Sequence, residues 1–272
     1  MIPKYHKMNI LQPFYSAVRQ NYLLREFISR DIKGRFAGSM AGSLWTVIHP
    51  LATIISYYFI FSLVMRVTIT VEDTGTDQFI IFFLSGFFTW IMFAESLGKS
   101  VAVILQNGGL ITKVVFPVEL LPLSTVISAF IVQGIGLLIF LGYLLIKGFF
   151  HPLWFFLPAI LLMELLFALG FAYALAAFSV FVRDTGDILS IIMMIWFFGT
   201  PVIYSESMLP DNLKFLLYFN PMFKFVDIVR DILLKHSLDF ILVFQMLVVS
   251  VLTYMLGSWF FMKSKHAFGD VL

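Results

Sequence analysis

Few side chains in this chain could catalyse a reaction, and their spacing matches no catalytic motif. Gly98-Lys99-Ser100 resembles the end of a phosphate-binding loop, but Phe93 replaces the first glycine of that motif. The chain has no cysteine, which excludes thiolate metal sites and cysteine nucleophiles. The sequence therefore predicts a chain that is not an enzyme and holds no cofactor or metal. The histidines are scattered without metal-ligand spacing: His6, His49, His151, His236 and His266.

Glu164 is the one carboxylate deep inside an uncharged run of the sequence. A charge at the centre of a bilayer costs about 3 kcal/mol on insertion scales, so this side chain should face a polar partner or water, or carry a proton. Three roles stay open for it, namely structural hydrogen bonding, lining of a conduit and proton relay.

The composition identifies the solvent in which these residues must be positioned. The chain is 60% hydrophobic and 12% charged, far from the values of soluble domains, and its mean hydropathy is +0.96. A net charge of +2 is too small to indicate a nucleic-acid partner. The 272 residues predict one membrane domain, because six helices of about 20 residues leave no room for a nucleotide-binding domain.

Uncharged runs predict an all-α membrane protein with six transmembrane helices. Strands are excluded because an open strand edge would leave backbone groups unsatisfied in lipid. The third run would reach roughly 40 Å as a helix, longer than the hydrocarbon layer of about 30 Å, so tilting is expected. The predicted spans are residues 37–65, 78–94, 120–146, 153–180, 188–205 and 240–262.

The basic residues predict the orientation. Six spans place both termini on one side, which carries twelve of the 18 Lys and Arg residues. The other side carries six, diluted by eight acidic residues. Because positive charge accumulates on the cytoplasmic side, both termini are expected in the cytoplasm.

Residues 1–36 are predicted to form a cytoplasmic amphipathic leader, an interfacial helix that precedes the membrane domain of residues 37–272. Its apolar residues recur every four positions: Leu24, Ile28, Ile32 and Phe36. The leader either rests on anionic lipid or also holds a cytoplasmic partner through Arg30 and Lys33. Gly34, Gly38 and Gly42, at four-residue intervals, predict a close approach between helices at its end.

Two further cytoplasmic breaks are candidates for contact with a partner. Residues 95–119 predict a short helix lying across the membrane, with Val101, Ile104 and Leu105 on one side, followed by a turn at residues 106–109. Residues 183–187 form the other break. Charged caps at span ends are the alternative explanation. The predicted contact residues in the two breaks are Lys99, Lys113, Arg183 and Asp184.

Residues 206–239, between the fifth and sixth spans, predict two short helices separated at Asn220-Pro221, where the proline opposes a continuous helix. The first is too short to cross a bilayer, so we predict a re-entrant helix pair at the exit of a conduit. An ordinary external loop on lipid is the alternative. The predicted outer-gate residues are Pro201, Tyr204, Asn220, Pro221 and Arg230.

The 33 phenylalanines are too many to form one site, and most must face lipid or pack between helices. A subset in the second span could present ring faces to sugars without binding them tightly. The predicted conduit lining is Phe83, Phe87, Trp90 and Glu164.

Several motifs resemble those of ABC-2 type polysaccharide export permeases. The match begins with Arg30-Asp31-Ile32-Lys33-x-Arg35 and continues through Gly42-Ser43-Leu44-Trp45 into the first span. It covers nearly the whole chain. The later motifs are Asn107-Gly108-Gly109-Leu110-Ile111-x-Lys113-x-x-Phe116-Pro117, Phe181-x-Arg183-Asp184, Pro201-x-x-Tyr204 and Asn220-Pro221.

The resemblance implies a homodimeric permease paired with two copies of a separate ATPase, which would bind ATP and Mg²⁺. The cargo would be a lipid-linked polysaccharide, with O-antigen as the first choice and capsular polysaccharide or teichoic acid as alternatives. The leader and the two breaks would contact the ATPase and transmit its conformational change to the membrane helices. The re-entrant pair would gate the exit. Two other classes are disfavoured. A secondary transporter would need inverted repeats, and an intramembrane enzyme would need a cluster of ionisable groups.

Overall fold

A chain this apolar must satisfy its backbone within helices, and the computed structural model of the protein is built from helices across the residues that it describes, 12–35 and 38–271. The α-helices are α1 Gln12–Arg19, α2 Asn21–Gly34, α3 Trp45–Tyr58, α4 Val71–Thr74, α5 Phe79–Gln106, α6 Gly108–Ile111, α7 Leu120–Ile146, α8 Leu157–Phe181, α9 Thr185–Phe198, α10 Asp211–Tyr218, α11 Pro221–Arg230, α12 Phe240–Ser264 and α13 Phe268–Val271. Short 3₁₀ or π segments extend several of them: Gly42–Leu44, Phe59–Val64, Pro152–Phe156, Glu206–Met208, Asp231–Lys235 and Lys265–Ala267.

In this part of the chain, five helices are long and apolar enough to cross a membrane: Trp45–Val64, Phe79–Gln106, Leu120–Ile146, Pro152–Phe181 and Phe240–Ala267. The third has the bounds that the sequence predicts. The predicted fifth span is shorter than expected, because α9 ends at Phe198 rather than at residue 205. Gly199 and Pro201 follow it, and its 14 residues reach only about 21 Å.

The leader is two helices rather than one. The chain bends at Gln20, which has φ −120° and ψ 46°, and α2 then ends at Gly34. The close approach predicted at Gly34, Gly38 and Gly42 is not made within the described residues of the single chain, where a Cβ on any of them would meet nothing within 4 Å. Residues 1–11, Phe36 and the predicted domain boundary at 36/37 lie outside the described residues.

The separate helix predicted around Val101 is also wrong, because α5 continues without a break to Gln106. Glu95 and Lys99 interrupt the uncharged run but not the helix. They form an i,i+4 pair at 3.3 Å, an arrangement that supports a helix. The predicted turn is confirmed, since α5 ends at Gln106, Asn107 caps it and the single turn of α6 follows.

The core lies around α5, which is largely buried, whereas most residues of α3 are exposed. Beside it, α8 and α12 cross at Gly170 and Gly257. A Cβ on Gly257 would lie 1.8 Å from the carbonyl oxygen of Gly170, so the two backbones touch there. The paired short helices predicted on either side of Asn220-Pro221 are confirmed, and α11 packs against α5, α8 and α12.

Candidate functional site

Charged and polar side chains from the end of the leader, from α5 and from α7 meet in one group. We call this group, after the predicted orientation, the inner cluster: Asp31 of α2 and Arg35 directly after it, Glu95 and Lys99 of α5, and Ser128 and Gln133 of α7. Arg35 forms an ion pair with Glu95, and Lys99 Nζ lies 3.5 Å from a carboxylate oxygen of Asp31. Ser128 donates a hydrogen bond to Asp31 and Gln133 donates one to Glu95.

The inner cluster ties the leader to the membrane helices. Its two cations and two carboxylates balance, and the side chains of Arg35 and Glu95 are only 11% and 16% exposed. Partly buried ion pairs add little net stability, but removing one member leaves an uncompensated charge. The cluster therefore fixes the position of α2 against α5 and α7. A cleft of about 1100 Å³ opens beside it, lined also by Trp45, Asn107 and Thr125.

A double-mutant cycle should reveal this coupling. Arg35→Met and Glu95→Gln should each destabilise the protein by about 3 kcal/mol, because each leaves a partly buried charge without its partner. The double variant should lose less than the sum. The measurement is thermal unfolding in detergent together with the rate of trypsin cleavage in the leader. Arg25→Met, which removes an exposed leader charge, is the control, and additive losses would contradict the coupling.

The residues predicted to contact an ATPase fall into two groups. Arg30 donates a 2.9 Å hydrogen bond to Asn107 and lies over the ring of Phe27, and Lys99 belongs to the inner cluster. These two residues are therefore engaged within the chain. The others are exposed: Lys33, Lys113, Arg183 and Asp184.

The two predicted breaks are neighbours in space. A Cβ on Gly186, in the first turn of α9, would lie 3.8 Å from Cγ1 of Val101 near the end of α5. Beyond α6, Val114 and Val115 are exposed next to Lys113, and Val115 is as exposed as it would be in an unfolded chain. Adjacent exposed apolar side chains at the end of a membrane helix suit contact with another protein or with lipid.

At the opposite end, Arg230 is buried and holds three segments together. Its guanidinium donates to the backbone carbonyls of Phe82 in α5 at 3.3 Å, of Pro201 at 2.6 Å and of Val202 at 2.9 Å. It also lies 3.6 Å from the centroid of the Phe82 ring, a cation–π contact. Gly86 makes room for it, since a Cβ there would be 2.8 Å from Nη2 of Arg230.

Asn220 organises the same region, which we call the outer cluster: Arg230, Asn220, Thr200, Pro201, Val202 and Trp196. The side-chain oxygen Oδ1 of Asn220 caps α11, because it accepts hydrogen bonds from the backbone N–H groups of Met222 and Phe223. The same oxygen accepts from the indole N–H of Trp196 at 2.9 Å, and its amide donates to Thr200 Oγ1 at 2.9 Å. Asn220 thereby joins α11 to the end of α9.

The predicted gate residues are thus brought together, although their role as a gate stays a prediction. Pro221 occupies the first turn of α11, where its missing N–H costs nothing. Tyr204 donates a 2.7 Å hydrogen bond to the carbonyl of Phe198, which closes the turn after α9.

The charges beside Arg230 lie on α11 and on the π segment Asp231–Lys235 that extends it, outside the candidate spans. Burial lowers the pKa of Arg230 to about 9, opposed by Asp227, which leaves the guanidinium charged at neutral pH. Burial likewise raises the pKa of the Asp227 carboxyl, and the neighbouring Asp231 adds to the rise, while Lys235 and Arg230 oppose it. Asp231 forms a 2.9 Å ion pair with Lys235.

The predicted conduit residues are packed between helices in the single chain. Phe83 and Phe87 lie against Tyr57 of α3, with ring centroids 4.6 and 5.3 Å away. Phe83 is buried and Phe87 is partly exposed. Trp90 is buried against Phe197 of α9. Their rings therefore pack against α3 and α9 within the chain. Their assignment to a conduit stays a prediction.

Glu164 is fully buried in α8, and its carboxylate oxygens find no hydrogen-bond partner within residues 12–35 and 38–271. A buried carboxylate without partners is costly unless it is protonated or meets a group from another chain. None of the three roles left open for it is decided by its surroundings.

Sequence reasoning named Lys99, Asn220 and Arg230 as candidate site residues but did not identify the other residues that hold these clusters together. The i,i+4 spacing of Glu95 and Lys99 was a usable signal for a charged helix end. Arg35 and Asp31 were visible only as part of a motif. Gly86 and the backbone acceptors of Arg230 left no signal, because a glycine has no side chain and every residue has a carbonyl.

The arrangement defines an integral membrane protein of the multi-pass class. Apolar helices long enough to span a bilayer form its body. No catalytic constellation of side chains is part of either cluster.

Within that class, the chain belongs to the ABC-2 type transporter family, whose model matches residues 22–234. It is 29% identical to the O-antigen export system permease protein RfbA of Klebsiella pneumoniae, covering 92% of this chain and 95% of the relative. It is 30% identical to the protein of the same name from Myxococcus xanthus, covering 91% and 94%.

These matches confirm the resemblance seen in the motifs. The family is one of membrane permeases that lack a catalytic ATPase domain, and membership implies a partner ATPase. The absent phosphate-binding loop and the predicted lack of a cofactor in this chain are therefore explained by the division of labour between the permease and that partner.

Proposed function

We propose that this chain is the membrane subunit of an ABC exporter that moves lipid-linked O-antigen polysaccharide across the inner membrane, driven by a separate ATPase. The observation that carries the proposal is its similarity, over nearly its whole length, to permeases of O-antigen export systems. Permeases for capsular polysaccharide or teichoic acid remain the alternative cargo classes.

The proposed topology has six spans with both termini in the cytoplasm. In it, α9 and the segment after Gly199 form the fifth crossing, and α10 and α11 form the re-entrant pair at the outer exit. The distribution of Lys and Arg supports this orientation. The burial of α11 among spanning helices supports the re-entrant placement, because such a helix is tolerated at membrane depth when protein covers it.

The proposed assembly is a homodimer with two ATPase subunits. The supporting observation is that α3 and α9 pack against α5 through aromatic contacts, while their other faces are apolar and exposed. In the dimer these faces would meet the second copy and enclose a conduit. Phe83, Phe87, Trp90 and Glu164 would then lie in or just behind its wall, with the outer cluster at its exit.

The proposed ATPase contact combines the exposed residues of the two breaks. Lys113, Val114 and Val115 offer charge next to apolar surface, and Arg183 and Asp184 stand at the start of α9. Arg30 and Lys99 would not bind the ATPase directly. Through its hydrogen bond to Asn107, Arg30 would transmit movement of the breaks to the leader, and Lys99 would transmit it through the inner cluster to the leader and α5. Lys33 adds an exposed cation on the leader.

The test is reconstitution of the permease with its ATPase in proteoliposomes. Lipid-linked O-antigen should move only with ATP hydrolysis, and transport against a gradient without nucleotide would contradict the proposal. Lys113→Glu and Arg183→Glu should each weaken ATPase binding at least about tenfold, because a like-charge contact at an interface costs several kcal/mol. Lys147→Glu, an exposed cation at the other end of α7, should leave binding unchanged. Unchanged binding in both docking variants would remove the proposed contact.

A further inference from the structure

A second groove lies away from both clusters, between the leader and the C-terminal end of the chain. It has a volume of about 740 Å³ and is formed by α1, by residues 116–119 before α7 and by the segment after α12. Its polar lining includes Ser16, Arg19, Glu119, Lys265 and His266. Neither the conduit nor the ATPase contact uses these residues.

The single carboxylate of this groove is already neutralised. Glu119 is 1% exposed, accepts a 2.7 Å hydrogen bond from Ser16 and lies 3.5 Å from Lys265 Nζ. Its backbone carbonyl accepts from Tyr173. Glu119 therefore joins the walls of the groove but presents no free negative charge to a ligand.

The cationic part of the lining remains available. Arg19 is exposed and forms no ion pair with the residues that the structure describes, and residues 1–11 contain no Asp or Glu. Lys265 has three N–H donors, of which the Glu119 contact occupies one. The amides of Gln12 and Gln20 line the same groove. This combination of two cations and neutral donors fits the oxygens of a phosphate group.

The surroundings of the groove are apolar. On α1, Tyr15 is 63% exposed and Val18 is 78% exposed, next to Arg19, and Tyr22 continues this strip at the start of α2. Phe14 packs against Tyr254 with ring centroids 5.1 Å apart, which holds α1 along the spanning helix α12. A ligand at this position can place its phosphate in the groove and an acyl chain along the exposed strip.

From these contacts we propose that the groove binds the phosphate headgroup of an anionic phospholipid of the leaflet that surrounds the leader. The lipid lies between α1 and the C-terminal segment and orders the leader against the bundle. The inference goes beyond the proposed function and does not depend on which glycan is exported.

The experiment is lipid titration of the purified permease followed by native mass spectrometry. Phosphatidylglycerol should bind, phosphatidylcholine should bind more weakly, and inorganic phosphate at the same concentration should not displace the lipid. Arg19→Gln should weaken phosphatidylglycerol binding about fivefold, the effect of one basic residue at an anionic membrane surface. Lys265→Gln should do the same, and thermal unfolding checks that the loss of its pair with Glu119 leaves the protein folded.

Arg25→Gln is the matched control, because Arg25 is an exposed leader cation that does not line the groove. Equal weakening by Arg25→Gln would mean diffuse attraction of the leader to anionic lipid and would overturn the site. Wild-type binding by Arg19→Gln would overturn it as well. Displacement by inorganic phosphate would overturn the lipid assignment in favour of a free-phosphate site.

Discussion

Arg230→Met should abolish export and lower the free energy of unfolding by about 3 kcal/mol or more, since hydrogen bonds to charged groups contribute about 1.5–3 kcal/mol each. The guanidinium donates to three buried carbonyls, those of Phe82, Pro201 and Val202, which no methionine can satisfy. Without it, the turn after α9 is no longer held to α5. The measurements are export in proteoliposomes and thermal unfolding in detergent.

Two further variants separate the geometry of Arg230 from its charge. Arg230→Lys should lose nearly as much export and stability as Arg230→Met, because an ammonium group lacks the planar guanidinium geometry that reaches three acceptors. Gly86→Val should also reduce export and stability, because its Cβ would lie 2.8 Å from Nη2 of Arg230 and would displace the guanidinium from its acceptors on α5. Lys224→Met, which removes a partly exposed cation from the same helix, is the control. Full export by Arg230→Lys would show that charge alone suffices.

Gly257→Leu should prevent folding of the bundle. A Cβ at this position would lie 1.8 Å from the carbonyl oxygen of Gly170, and a side-chain rotation cannot relieve a clash between backbones. Overpacking costs about 1–3 kcal/mol where side chains can shift. The cost here should exceed that range, because α8 and α12 must separate along their length. Close approach through small residues is a principal means of helix association in membranes.

The measurement for this prediction is the yield of monodisperse protein and its thermal unfolding. Gly257→Ala should already lower the unfolding temperature, and Gly170→Ala should behave alike, because its Cβ would lie 2.4 Å from the backbone of Thr253. Gly142→Leu in α7 is the control, since a Cβ there meets nothing within 4 Å. A normal yield of Gly257→Leu would mean that α8 and α12 do not touch at this point.

The positions of charged residues and prolines predict helix limits well where no tertiary contact alters their effect. The uncharged run of α7 ends at Glu119 and Lys147, and the helix has those limits. Asn220-Pro221 divides two helices as expected, because proline and its predecessor oppose a continuous helix. The same reasoning fails for α5, because it predicts a span that ends at residue 94, before Glu95, whereas the helix continues to Gln106. The pairing of Glu95 and Lys99 with the leader and α7 allows the helix to continue.

Glycine spacing shows the limit of pattern reasoning. The four-residue spacing of Gly34, Gly38 and Gly42 predicts a helix contact that the described residues of the single chain do not make. Gly170 and Gly257 carry no such spacing and lie 87 positions apart, yet their backbones touch. A small residue permits close approach, but only the crossing of two helices decides which glycine uses it.

The sequence by itself determined the solvent, most of the helices and the family, because hydropathy and the positions of proline and charge act on short stretches of chain. The tertiary structure decided which charges are neutralised and which backbone groups are satisfied. Arg35 finds Glu95, and Arg230 finds the Phe82 carbonyl 148 residues away. Every residue offers a carbonyl and many offer a charge, so the selection depends on distances and crossing angles that arise only when the helices pack.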